Sequence, residues 1–179
     1  MYSLFIDTHN NTNLAIFKNK KLIKQVNSFE IKQSTIIMPL LNNLLNELNL
    51  DLKNIKEIIV VNGPGSFTGV RLGVTIAKTI AYSLSIPIKC INSLAILAIS
   101  DSFKNDIYAF KDTKGAYIGI CADSRIKLEY ITNNELNNID VKTDVIYDIT
   151  NIYDYEYLLE EKSAHLINPI YIKKIEAQK

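Results

Sequence analysis

The chain has only two histidines, two cysteines and no tryptophan among its 179 residues, and each scarcity removes a class of chemistry. His9 and His165 form no His-x-x-x-His pair, and Cys90 and Cys121 lack any clustered partner, so the spacing of a zinc or iron–sulfur centre is missing. Metal catalysis is therefore not expected. Each cysteine, lying on an apparent strand, reads as a small buried hydrophobe in a reducing compartment. No stretch reaches the roughly eighteen apolar residues of a membrane span, and the first residues read as a strand rather than a signal segment. The expectation is a cytoplasmic protein with no membrane contact. A net charge of +1 provides no field for nucleic acid, and the one basic pair outside the body of the chain is Lys173-Lys174. Tight direct binding of RNA by this chain alone is not expected. Ser66 has no general base nearby in sequence, so a hydrolase triad has no support.

What is present is a hydrophobic content of 47%, enough for one core divided between two small lobes. Tyr2 to Asp7, Asn13 to Phe17 and Lys21 to Val26 read as an antiparallel meander with turns at Asn10-Asn11 and Asn19-Lys20. Helical spacing then runs from Ser34 to Leu50, with Ser34 or Thr35 as cap and Pro39 bending or restarting its first turn. Ile58 to Val61 reads as a buried strand, Thr68 to Leu84 as a second helix, Ile86 to Ile91 as a strand, and a third helix follows to about Ile99. A boundary near 102–105 separates residues 1–102 from a smaller, strand-rich piece, residues 103–179. Its expected strands are Ile107 to Phe110, Ala116 to Ala122, Ile126 to Ile131 and Asp144 to Ile149, followed by a short helix near Tyr153 to Glu160.

Between the strand ending at Val61 and the second helix lies Gly63, Pro64, Gly65, Ser66, Phe67, Thr68, Gly69. Glycines permit backbone angles that strain other residues, and proline presets one turn angle, so the chain reverses sharply here. Ser66 or Thr68 can cap the helix, whose free N–H groups offer a weak anion site. The segment fits neither the Walker pattern nor the dinucleotide fingerprint, leaving a phosphate cradle or a structural corner as its two readings.

Both long helices carry more apolar surface than one sheet face requires. Ile36, Ile37, Leu40, Leu41 and Leu44 with their neighbours spread over an arc of about 200°, roughly twice that of an ordinary surface helix. Glu47 is the only charged residue of that helix. Val70, Gly73, Val74, Ala77 and Ala81 belong to a similar arc on the second, leaving Arg71, Thr75, Lys78 and Tyr82 as a polar stripe. Gly69, Gly73, Ala77 and Ala81 recur every four residues and admit a close neighbour. Either the two helices cover each other on one sheet face, or a partner protein covers the excess. Among polar residues, Asp7 at the end of the first strand is the best candidate for a functional carboxylate, with a turn-capping role as the alternative. Asp112 heads a second Asp-Thr turn, and a small ATPase or kinase would use the two carboxylates with Mg²⁺ across a cleft.

Leu4-Phe5-Ile6-Asp7-Thr8, Met38-Pro39-Leu40-Leu41 and Gly63-Pro64-Gly65-Ser66-Phe67-Thr68-Gly69-Val70-Arg71-Leu72-Gly73 together resemble the TsaB (YeaZ) family. The order continues through Ala77-Lys78, Ile86-Pro87-Ile88, Asn92-Ser93-Leu94, Asp112-Thr113-Lys114-Gly115-Ala116-Tyr117 and Pro169-Ile170-Tyr171-Ile172-Lys173. The resemblance implies an α/β actin-like, Hsp70-like and sugar-kinase-like fold with a complete first lobe and a reduced second one. It further implies a non-catalytic subunit that binds and activates TsaD for transfer of threonylcarbamoyl to N6 of adenosine 37 in tRNAs reading ANN codons. TsaE is the further protein partner, and tRNA is met only through the complex. The chain alone would bind no cofactor, with ATP or ADP and a metal entering in the assembled complex. The first two helices would form the surface for TsaD, and the isolated protein would pair with itself through that surface. Two departures stand out: Gln33 replaces a histidine common before the first helix, and Thr8-His9-Asn10-Asn11 lacks the glycine of a phosphate-binding hairpin.

Overall fold

A computed structural model of the chain describes residues 1–172; the expected C-terminal Lys173 and Lys174 lie outside the described residues. Strands β1 (Tyr2–Asp7), β2 (Thr12–Lys18) and β3 (Lys21–Ser28) form the meander, and helix α1 (Gln33–Glu47) follows. A 3-10 turn (Leu52–Asn54) leads into β4 (Ile55–Val61), then α2 (Phe67–Leu84), β5 (Ile88–Ile91) and α3 (Ser93–Ser100). A second sheet is made from β6 (Ile107–Lys111), β7 (Gly115–Ala122) and β8 (Arg125–Thr132), ending in the short α4 (Asn133–Leu136). After a 3-10 segment (Ile152–Leu158), β9 (Glu160–Lys162) returns to the first sheet, and a 3-10 turn (Ala164–Leu166) follows.

The first sheet has the order β3-β2-β1-β4-β5-β9, with β1, β4 and β5 mutually parallel and the outer strands antiparallel. Strand alternation sends Leu4, Ile6, Leu14, Ile16, Ile58 and Val60 to one face, where they form a core with α1 and α2. α1 lies over β2 and β3, while α2 lies over β1, β4 and β5. Phe5, Ala15, Phe17, Ile59 and Val61 face the other way, onto α3 and the 149–159 segment. α3 is apolar on nearly all sides because it is clasped between the two sheets: Ile96 and Ile99 pack toward the first, Leu94 and Ala98 toward Tyr108 and Cys121 of the second. Each such aliphatic side chain removed from water contributes about 1.5–3 kcal/mol, so this short helix joins the two layers firmly.

Several expectations need correction. Asp144 to Ile149 is not a strand: Ile149 is buried on the first sheet, and the Asp148 amide and carbonyl are both bonded to the Ser100 hydroxyl, so tertiary contacts replace a ladder. The helix expected from Tyr153 to Glu160 is a 3-10 segment that stops at Leu158, because Glu160 already pairs with Cys90 at the sheet edge. α1 has Lys32 rather than Ser34 or Thr35 at its N-cap, without a side-chain cap; the Thr35 hydroxyl instead donates to the Lys32 carbonyl. Pro39 is accommodated inside α1. Both cysteines are buried and free, and burial pushes the Cys121 thiol up to about 11.

Candidate functional site

The glycine segment is a corner built around the β1–β2 turn. Only Gly63 uses a positive φ, +99°. A Cβ on Gly65 would lie 2.5 Å from the His9 carbonyl oxygen, and one on Gly69 would overlap the Thr8 carbonyl oxygen. The turn is bonded where a phosphate would sit: the Ser66 amide donates to the His9 carbonyl at 2.7 Å, and the Thr8 hydroxyl donates to the Gly69 carbonyl at 2.6 Å. Ser66 caps α2 by accepting from the Gly69 amide, and Gln33 donates to the Thr8 and Asn10 carbonyls. The chain's own Thr8-His9 backbone thus fills the space against Gly65 and Gly69, and the residues present do not fit a phosphate in that space. Pro64 is buried in the same corner, while Ser66, Phe67 and Thr68 are exposed on its rim.

The residues expected to bind a partner divide sharply by exposure. Ile37, Leu41 and Leu44 of α1, and Val70, Gly73, Val74, Ala77 and Ala81 of α2, are buried in the core beneath the helices. The apolar arcs are therefore mostly consumed by the sheet, and these eight residues position the helices rather than face outward. Ile36 and Leu40 of α1 are half-buried, as are Leu72 and Ile76 of α2, while Thr75 is exposed. The outer surface adds exposed Met38 on α1 and Tyr82 on α2.

Arg71 and Lys78, expected as polar contacts for a partner, are engaged by the chain itself. Residues 164–171 run along α2 as a strap. Lys78 Nζ donates to the Ile167 carbonyl at 2.9 Å, and Arg71 Nε donates to the Tyr171 hydroxyl at 2.7 Å. The Arg71 guanidinium also lies 3.7 Å from the Phe67 ring centroid. At the corner, the Ile170 amide donates to the Asn62 carbonyl, and Asn62 Nδ2 donates to that of Asn168. The resemblance at Pro169-Ile170-Tyr171 does not reveal these contacts, which are 87 to 108 residues apart and mostly involve backbone carbonyls.

Asp7 is fully buried, and both oxygens have partners. Oδ1 accepts from the His9 amide at 2.9 Å and pairs with His9 Nδ1 at 2.7 Å; Oδ2 accepts from the Tyr147 hydroxyl at 2.7 Å. Burial acts to lower the His9 pKa, but the charge and hydrogen bond of Asp7 outweigh it, so the ring holds its proton above the ordinary value. Burial first, then Asp7, raises the Tyr147 hydroxyl well above its usual range. Asp112 anchors its own hairpin, accepting from the Lys114 and Gly115 amides and the Tyr130 hydroxyl. Both carboxylates are thus engaged within the chain, and no metal-binding cluster of histidine, cysteine and carboxylates occurs among the described residues. Tyr147, absent from the sequence-based candidates, lies 140 residues from Asp7 in a segment read as a strand.

A family model described as TsaD, tRNA N6-adenosine threonylcarbamoyltransferase, matches residues 30–114. A tRNA threonylcarbamoyladenosine biosynthesis protein TsaB from Buchnera aphidicola subsp. Schizaphis graminum is 32% identical over 165 residues, covering 89% of this chain and 74% of that protein. The protein of the same name from Bacillus subtilis is 41% identical over 100 residues, 55% of this chain and 44% of the relative's length. The fold is that of the solved structure of YeaZ from Pseudomonas aeruginosa, with a TM-score of 0.76 at 16% identity over 95% of this chain and 99% of the other.

Proposed function

The chain belongs to the TsaB family of tRNA threonylcarbamoyladenosine biosynthesis proteins, and we propose that it serves as the non-catalytic subunit that binds and activates TsaD for threonylcarbamoyl transfer to N6 of adenosine 37 in ANN-decoding tRNA. The observation that carries the docking role is the outer surface of α1 and α2. It keeps Met38 and Tyr82 exposed and Ile36 and Leu40 half-buried after the sheet has taken the rest of the apolar arcs. Apolar groups left partly wet beside small polar ones suit a protein partner, with contact made by the outer side of α1 and the seam between the helices. The engaged state of Asp7 and the filled glycine corner favour a supporting role over catalysis by this chain. Nucleotide, metal, TsaE and tRNA then enter through the assembled complex in the cytoplasm. No helix among the described residues is long and apolar enough to cross a membrane.

The test is association with TsaD measured by light scattering on mixed purified proteins. Leu40→Asp on the seam and Thr75→Arg on the exposed face are expected to weaken the heterodimer at least about tenfold while the chain stays folded. Ala77→Arg is unsuitable because Ala77 is completely buried. Full association by both folded variants would refute docking through this face.

A further inference from the structure

A cleft of about 510 Å³ opens between the first sheet and the second, away from α1 and α2. Its volume lies within the range of small-molecule pockets, about 300–1,000 Å³. Strand pairing explains its floor. Asn13 of β2 stands between Asp7 of β1 and Asn27 of β3, and Gln25 stands beside Ala15, so these side chains share the face that carries Phe5 and Phe17 farther along. The face therefore changes from hydrocarbon to amide as it enters the cleft.

Asn13 is only 8% exposed and its amide has no hydrogen-bond partner among the described residues; half-buried Gln25 and exposed Asn27 have none either. Asn13 is not among the side chains with a fully buried, unpartnered polar atom, so its amide opens to the cleft, where a ligand can take the place of water. His9 is 7% exposed and commits Nδ1 to Asp7, which leaves Nε2 as the ring atom available to the cleft it lines. Phe110 meets the His9 ring edge-on at 5.6 Å, and Leu97 and exposed Phe29 extend the apolar wall. Charges around the cleft are balanced: His9 is paired with Asp7, and one cation and one anion, Lys111 and Asp144, are among the lining residues. A neutral group offering both donor and acceptor fits such surroundings better than an ion, whose desolvation would go unrepaid.

We propose that the cleft binds a planar carboxamide carried on an aromatic or apolar body, with Asn13, Gln25 and His9 meeting the amide and Phe29, Phe110 and Leu97 meeting the body. The site is separate from the helical docking face, so it stands or falls independently of TsaD binding.

The test is a titration of the full chain with benzamide, benzoate and benzylamine, followed by NMR at the His9 imidazole and the Asn13 side-chain amide. Benzamide is expected to shift both signals saturably, with benzoate and benzylamine at least about fivefold weaker. Asn13→Leu and Gln25→Leu should each weaken benzamide about five- to tenfold, the loss of one net hydrogen bond. Gln25 is half-buried on an outer strand, so its variant carries the comparison should Asn13→Leu fail to fold. Failure of benzamide to bind, equal binding by either charged probe, or benzamide affinity unchanged in the folded variants would overturn the proposal.

Discussion

Replacing Tyr147 by phenylalanine removes one hydroxyl and tests whether the Asp7 cluster holds the two layers in register. In the native chain that hydroxyl donates at 2.7 Å to a carboxylate oxygen with no exposed surface, linking the coil after the second sheet to the end of β1. The ring itself remains, so packing changes little and the loss is electrostatic. A hydrogen bond to a charged group contributes about 1.5–3 kcal/mol net, and here the stripped oxygen stays buried. For a chain of this size each kcal/mol moves the midpoint by about 2–4 °C, giving an expected fall of about 3–12 °C in thermal unfolding. The same loss should appear as a lower denaturant midpoint with an unchanged slope. A double-mutant cycle with Asp7→Ala separates the pair from background: the two changes should be strongly non-additive, because each removes one end of the same bond. A Tyr147→Phe protein within about 0.5 kcal/mol of the original, or additive behaviour in the cycle, would refute the reasoning.

Other perturbations test separate parts of the structure. Because the folded His9 pKa is raised above 6.5, its contribution to stability is fully present below pH 6.5 and is lost as pH rises through the folded value. Denaturant melts from pH 5 to 9 should therefore show a decline that flattens in His9→Gln, and an identical slope in both proteins would count against the Asp7–His9 pair. Gly69→Ala should destabilise by roughly 1–3 kcal/mol, since overlap with the Thr8 backbone oxygen opposes a helix-propensity gain of about 1 kcal/mol; calorimetry showing a stabilised variant would reverse that sign. Glu57 lies buried in β4 and accepts from the hydroxyls of Ser3 and Tyr153 while pairing with Lys89 at 2.9 Å. Glu57→Ala should cost about 3–5 kcal/mol in denaturant unfolding, and Glu57→Gln appreciably less. Arg71→Ala should leave the midpoint within about 1 kcal/mol but speed amide exchange at Ile170, because it releases the Tyr171 end of the strap.

The elements most legible in the sequence are those whose residues answer to local periodicity. β1 agrees with its expected limits, and α2 starts one residue before its expected position. The apolar spacing and the Ser66 cap lie within one stretch of chain, so no distant contact was needed to read them. β9 was missed because Glu160, Glu161 and Lys162 carry no strand pattern; β5 supplies the partner that makes them a strand. Tyr147 went unnoticed for the same reason, its role being defined by a carboxylate far away in sequence. The glycines were legible as a corner but for an incomplete cause. Gly65 and Gly69 are required by the approach of the β1–β2 turn, a tertiary fact that no turn propensity encodes.

That distinction also limits what an apolar helix reveals about its partners. Periodicity identifies which side chains avoid water without saying what covers them, and in α2 the covering is largely internal. The sheet takes Val74, Ala77 and Ala81, while the 164–171 strap takes Arg71 and Lys78 from the neighbouring side. α1 has no comparable strap among the described residues, and its outer side ends in Met38 and the Ile36–Leu40 seam. A partner approaching the pair would therefore meet unengaged side chains mainly on α1 and at exposed Tyr82, whereas contact with Arg71 or Lys78 must first compete with bonds already made. Docking energy should then concentrate on α1, even though α2 carries the stronger sequence signature.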